Sequence, residues 1–317
     1  MTVIQLIQQS KKTLFSFELL PPLKGQKADK LYRTIDELIE YNPQYINITT
    51  HRDEIEFREL PGGLMEKRTV RKRPGTVAIA AAIQHTYNIP VVPHVLCGGF
   101  SKEETENMLI DLNFLGINNV LALRGDGLRF EHAFTPERGG HLHAIELIEQ
   151  IVKLKQGKYL DPEIKNTASL DFCIGIAGYP EKHSEASNMD FDLAKLKEKI
   201  DAGAEYIVTQ MFFDNQKYYD FVNRCRAIGI TVPIIPGIKP LALINQISVL
   251  PKLFNVDIPE EFAREVRKCR SNEDARIVGT EWAIMQAKDL ITNKVPCLHI
   301  YTYGISDNTR QIAKAVI

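Results

Sequence analysis

The chain has 317 residues, 44% hydrophobic and 25% charged, with a net charge of −1. That balance describes a globule with ample material for a large core. It argues against nucleic-acid binding through bulk charge, and the absence of any 18-residue apolar run argues against a membrane span.

Residues 1–13 carry Val3, Ile4, Leu6 and Ile7. They predict a short amphipathic helix on the outside of the fold, open to contact with a second copy. From there, strand-like and helix-like stretches alternate. Strands are predicted at 14–20, 45–49, 91–96, 119–123, 172–179, 206–212, 232–238 and 297–303. Helices are predicted at 27–41, 76–87, 102–115, 143–155, 191–202, 216–228, 243–253, 260–268, 272–292 and 308–316. Eight strands in unbroken alternation with helices specify an α/β fold, a (β/α)₈ TIM barrel, as one domain over residues 1–317. A doubly wound open sheet fits less well, because Pro21-Pro22 follows the first strand where a glycine-rich phosphate loop would be needed.

Residues 51–75 interrupt the rhythm. They are long for a strand-to-helix connection and hold seven basic and five acidic residues. We read them as a charged irregular loop, either simply solvated or acting as a lid whose cations attract an anionic ligand. The five cysteines are scattered and odd in number, with no Cys-x-x-Cys pair. That suits a reducing, cytoplasmic setting and gives no zinc signature.

Ligands of such a barrel bind where the strands end at their carboxyl termini. The first strand delivers Glu18, flanked by Phe17, Leu19 and Leu20. Those neighbours predict poor solvation, a raised pKa and a proton donor near neutrality, or else a carboxylate salt-bridged inside the barrel. Further round the rim come Thr49-Thr50-His51, His94, Arg124-Gly125-Asp126, the run Tyr179 to His183, Gln210, and Tyr301-Thr302-Tyr303. The seventh strand leaves through Pro236-Gly237-Ile238-Lys239-Pro240, a kinked exit. His141-Leu142-His143 sits beside a Gly-Gly turn and reads as structural, so no metal site is expected. This inventory can hold a polar planar ligand and move one proton, which suits an organic cofactor carrying the harder chemistry.

Six segments occur in order: Phe17-Glu18-Leu19-Leu20-Pro21-Pro22, Leu123-Arg124-Gly125-Asp126, Gly178-Tyr179-Pro180-Glu181-Lys182-His183, Lys199-Ile200-Asp201-Ala202-Gly203-Ala204, Thr209-Gln210-Met211-Phe212-Phe213-Asp214 and Ile235-Pro236-Gly237-Ile238. Together they resemble methylenetetrahydrofolate reductase of the short bacterial type, from about residue 14 onward. The resemblance implies a barrel that binds FAD. NADH or NADPH would pass a hydride to the flavin and leave. 5,10-Methylenetetrahydrofolate would then take it and become 5-methyltetrahydrofolate.

By the same resemblance Glu18 is the acid for the departing folate nitrogen and Gln210 binds the pterin ring. Asp126 lies near flavin and folate, disfavouring an anionic reduced flavin and favouring a cationic iminium. Thr49, His94, Arg124, Gly125, Asp126, Ala144, Tyr179, His183, Asp192 and Lys199 would hold the flavin, with Arg124 and Lys199 facing its diphosphate. The family's stacking aromatic is replaced by Leu250, and its strand-eight arginine by Ile305 or Arg310. The resemblance also implies a homo-oligomer and no regulatory domain after the barrel. A proline dehydrogenase-like flavin barrel is the alternative, a metal-dependent hydrolase through His141 and His143 a third, and a non-catalytic binder a fourth.

Overall fold

The computed structural model describes residues 1–127, 133–302 and 306–317. Among the described residues, eight parallel strands, one of them split in two, form a nearly closed barrel. They are β1 (Leu14–Leu19), β2 (Tyr45–Ile48), β5 (Val91–Leu96), β6 (Asn119–Leu123), β7 (Cys173–Gly178), β8 (Tyr206–Thr209), a seventh strand split into β9 (Ile234–Ile235) and β10 (Gly237–Ile238), and β11 (Cys297–Tyr301). The order is β10-β11-β1-β2-β5-β6-β7-β8-β9. Pro236 makes the split, since it has no N–H for the ladder. β9 stays on β8 and β10 moves to β11. The seam is tied by His299 N donating to Pro236 O (3.1 Å) and Gly237 N donating to Thr209 Oγ1 (3.0 Å).

The outer ring is α2 (Asp29–Asp36), α3 (Thr76–Tyr87), α4 (Lys102–Phe114), α5 (Ala144–Lys155), α6 (Met189–Asp201), α7 (Asn215–Ala227), α8 (Gln246–Phe254), α9 (Glu260–Lys268), α10 (Asn272–Thr292) and α11 (Ser306–Val316). Most predicted boundaries fall within two or three residues of these. The helix predicted at 27–41 is instead α2 followed by a single turn at Ile39–Tyr41, closed by Asn42 in the left-handed region. The predicted strand 206–212 stops at Thr209, because Met211, Phe212 and Phe213 leave the sheet to pack under the helices. Tyr303 of the eighth strand lies outside the described residues.

Two expectations are corrected. The first concerns residues 1–13. Helix α1 (Val3–Gln9) packs Val3, Ile4, Leu6 and Ile7 against Leu14, Tyr45, Leu121, Cys173 and Tyr206, which are side chains of the barrel interior. It therefore plugs the amino-terminal mouth rather than lying outside, and Val3 N donates to Asn119 Oδ1 at 2.8 Å.

The second concerns residues 51–75, which are not irregular. β3 (Glu54–Leu60) and β4 (Leu64–Val70) form an antiparallel hairpin in register from Glu54↔Val70 to Leu60↔Leu64. Gly62 and Gly63 take positive φ in its turn. Because Glu54 and Val70 are paired, the ends of the hairpin are already adjacent. Replacing residues 54–70 by a short Gly/Ser link is expected to leave the barrel folded, with Tm changed by only a few degrees by circular dichroism. Loss of soluble protein would show that the hairpin holds the barrel together.

Candidate functional site

Alternation along the strands decides which side chains reach the barrel axis. On β1, Phe15, Phe17 and Leu19 pack with the surrounding helices, whereas Leu14 belongs to the interior cluster. Ser16 and Glu18 share the parity of Leu14. Phe17 and Leu19 therefore face away from Glu18 and do not desolvate it. Its burial comes from the barrel interior, which corrects the reason given above for its raised pKa.

The interior side chains fall into three groups from the amino-terminal mouth upward. The lowest is apolar and covered by α1. The middle level contains Ser16, Asn47, His94 and His299, an unusual composition for a barrel core normally filled by branched aliphatics. Ser16 Oγ lies 2.8 Å from His299 Nδ1 and 3.3 Å from Cys297 Sγ. Among the described residues His299 Nε2 and both amide atoms of Asn47 have no hydrogen-bond partner. In the lowest group, Gly175 leaves room for the neighbouring Tyr206 ring, which a Cβ there would strike.

The upper level opens to the carboxyl-terminal mouth. It contains Glu18, whose side chain is only 14% exposed. Burial pushes its carboxyl up to about 8, opposed by the positive charge of Lys239. His94 Nε2 lies 3.4 Å from Glu18 Oε2, but without an aligned hydrogen bond. Burial pushes His94 down to about 3, so it stands as neutral imidazole. Thr302 Oγ1 donates to Glu18 O (2.6 Å), and Thr49 Oγ1 to Leu19 O (3.3 Å). Lys239 was not singled out from the sequence as a site residue. It is 6% exposed, and burial brings its ammonium down to about 8.

A second group gathers beyond β6 and β7. Arg124 makes a bidentate pair with Glu185, at 2.6 and 2.7 Å. Tyr179 and His183 meet edge to face, with centroids 4.7 Å apart. His183 N donates to Asp192 Oδ2 (2.8 Å), and the charge of Asp192 acts on Lys199, whose ammonium is lowered by burial. Asp126 is exposed, and its charge acts on Arg124, Tyr179 and His51. His51 also feels Arg73 and Glu54, so the foot of the hairpin stands beside Asp126. Gly125 has φ +82°, a conformation that favours glycine.

Gln210 N donates to Gly178 O (2.8 Å), next to Tyr179, while its side-chain oxygen accepts from Met211 N (2.9 Å). Ala144 opens α5, whose N-cap His143 gives no side-chain cap. No described contact joins Ala144 to the other candidates. Glu18, Thr49, His94, Arg124, Tyr179 and Gln210 lie on or just past parallel strands and so face the same carboxyl-terminal mouth, whereas Asp192 and Lys199 belong to α6 and Ala144 to α5.

The remaining candidates lie elsewhere. Leu250 is buried among Met211, Phe213, Leu241 and Phe262, away from stacking duty. Ile305 lies outside the described residues. Arg310 pairs with Asp307 at 3.1 Å and feels Glu37 and Tyr41, on the outer ring. His141 is buried against Gln150, as a structural reading requires. Three of the cations in this segment, Arg68, Arg71 and Lys72, pair with its own acids. Lys72 reaches Glu54 and Glu56 at 2.9 Å, and Arg71 reaches Asp53 at 3.2 Å. That weakens the reading of this segment as a trap for an anionic ligand.

No described helix is long and apolar enough to cross a membrane. A solved structure of an uncharacterized Clostridium thermocellum protein, described as binding two copies of 5-methyl-5,6,7,8-tetrahydrofolic acid, aligns with a TM-score of 0.56. That alignment covers 99% of this chain and 98% of the other, at 14% identity, and speaks to the fold alone. By sequence, the chain is 30% identical over 312 residues to methylenetetrahydrofolate reductase (NADH) 1 of Arabidopsis thaliana, covering 95% of this chain and 48% of that protein. It therefore spans about half the length of such relatives. Against 5,10-methylenetetrahydrofolate reductase of Pectobacterium carotovorum subsp. carotovorum it is 30% identical over 290 residues, covering 90% of this chain and 84% of the relative. The methylenetetrahydrofolate reductase family model matches residues 3–316, and with that match over nearly its whole length the chain belongs to this family.

Proposed function

We propose that the chain reduces 5,10-methylenetetrahydrofolate to 5-methyltetrahydrofolate with NADH or NADPH as the electron source and FAD as a bound cofactor. The observation that carries this reading is a carboxyl group, Glu18, buried at the carboxyl-terminal mouth of the barrel, where burial pushes it up to about 8. FAD, when bound, would supply the hydride carrier between nicotinamide and folate.

The residues at the mouth suit such a dinucleotide. Arg124 and Lys199 offer cations to a diphosphate, and the start of α5 at Ala144 offers backbone N–H groups. Tyr179, His183, Asp192, Thr49, His94 and Gly125 supply the surrounding polar wall. Arg124 would have to share or exchange its carboxylate partner Glu185 when a diphosphate arrives.

Glu18 is assigned the proton for the departing folate nitrogen. The electron pair of the opening C–N bond goes to that nitrogen, and an iminium cation is left on the folate. Asp126 would favour this cation electrostatically. Gln210, with its side-chain oxygen occupied by Met211 N, would present its amide nitrogen to the pterin. Relatives carry both NADH and NADPH in their names, which supports a nicotinamide co-substrate without choosing between the two.

An anaerobic two-step titration tests the reading. The flavin-loaded protein should bleach on adding NADH or NADPH and regain its colour on adding methylenetetrahydrofolate. A protein that takes up no FAD, or whose reduced flavin ignores the folate, would refute it. Asp126→Asn is expected to retain FAD but slow the folate step by about tenfold or more, for about 1.4 kcal/mol of lost charge stabilisation. An unchanged single-turnover rate would remove Asp126 from that role.

A further inference from the structure

The proton donor has a charged neighbour that the assigned residues leave out. β11 pairs with β1 so that Glu18 lies beside Tyr301, and with β10 so that Ile238 lies beside Ile300. One residue further on, Lys239 is level with Tyr301. Glu18 and Lys239 thus flank β11 at the register of Tyr301, and the charge of Lys239 acts on Glu18. Gly237, two residues before Lys239, points inward, since a Cβ there would meet Thr209 O at 2.5 Å and the Tyr301 ring at 2.6 Å. Lys239 continues with the same parity and is almost wholly buried. Lysine is rarely buried this deeply without a role for its charge.

Among the described residues, the histidines around Glu18 bring no charge near neutrality. His94 on β5 is held neutral by burial, and so is His299 on β11 below it. His51, past β2, is also lowered by burial, with Arg73 adding to the effect. Among the described residues, Lys239 is the charge that opposes the desolvation of Glu18.

We propose that Lys239 is a positioning residue for the proton step, keeping Glu18 acidic enough to protonate the folate nitrogen and holding the carboxylate that remains. The proposal rests on reading Glu18 as the proton donor. In the step, the Glu18 O–H bond breaks and an N–H bond forms on the folate. Negative charge stays on Glu18, where the ammonium of Lys239 compensates it. A carboxyl equally buried but lacking that cation would be a weaker acid, and proton transfer slows as a donor's pKa climbs above the working pH.

The test follows Glu18 itself. The infrared band of its protonated carboxyl, identified by its loss in Glu18→Gln, is titrated in FAD-loaded protein with neither folate nor nicotinamide present. Lys239→Met is expected to move the midpoint up by about one pH unit or more, while Lys239→Arg stays near the parent. The alkaline limb of single-turnover folate reduction should move the same way. Far-ultraviolet circular dichroism and FAD uptake check that each variant is folded, and Lys239→Gln replaces the methionine variant if that one is not. A midpoint and a limb unmoved in the folded variant would overturn the proposal. A midpoint that moves in a protein unable to reduce the folate would instead overturn the reading of Glu18 as donor and leave the electrostatic pairing standing.

Discussion

Glu18→Gln is expected to bind FAD and accept electrons from NADH or NADPH, yet to reduce methylenetetrahydrofolate about 10²- to 10⁴-fold more slowly, the usual worth of a positioned general acid. Stopped-flow spectroscopy of the two half-reactions separates these effects. Loss of flavin reduction with folate reduction intact would show that the proton donor lies elsewhere. In the unsubstituted protein the folate step should fall as pH rises through about 8, because the acid form of Glu18 is lost there.

The same substitution has a stability signature of opposite sign. An unfolded glutamate titrates at its ordinary value of 4.5, whereas burial pushes Glu18 up to about 8 in the folded protein. Between those values the native state holds a proton that the unfolded chain has released, so this group's contribution to stability falls as pH rises across that window. Glutamine carries no such dependence. The Tm of Glu18→Gln should therefore gain on the parent from about pH 5 to about pH 8. A constant difference in Tm across that range would mean that Glu18 is not desolvated as described. Such a gain in stability against a loss of activity is the familiar cost of burying an ionisable group where chemistry needs it.

The largest effect on stability is expected from Gly279. It lies in the middle of α10, where glycine costs about 1 kcal/mol relative to alanine. Helix propensity alone thus predicts that Gly279→Ala stabilises. Packing predicts the reverse. A Cβ at this position would sit 2.0 Å from Leu241 O and 2.7 Å from Leu241 C, both backbone atoms of a fully buried residue. Neither side has a flexible side chain that could yield. Overpacking of this kind costs about 1–3 kcal/mol and occasionally more, which outweighs the propensity gain. The alanine variant should lose about 5 °C in Tm by calorimetry, and Gly279→Leu should accumulate as insoluble protein. A higher Tm for the alanine variant would show that the helix can move off Leu241. The contact matters to the site as well, because Leu241 lies two residues after Lys239 and α10 backs the segment that carries it.

The hairpin was readable in part. Pro61-Gly62-Gly63 is a turn signal, and the flanking segments have equal length. Abundant Glu, Lys and Arg hid it, since these residues have low strand propensity and no apolar alternation marks a buried face. The amino-terminal helix was recognised as amphipathic, but its partner was not. An apolar stripe states that it will be covered and is silent about what covers it.

The rhythm of eight strands and their intervening helices is written locally, in hydrophobic period and turn residues, and so the barrel followed from the chain alone. Six motifs in order fixed the family for the same reason, since each is a short contiguous string. The raised pKa of Glu18 is legible in the sequence, but the sequence neighbours are not what bury it. Residues adjacent in a strand point to opposite faces, and the groups that bury this carboxyl come from strands far away in the chain. Lys239 could not be recognised before the registers were known. Its height and direction depend on how β10 pairs after the break at Pro236, a matter settled only when the barrel closes.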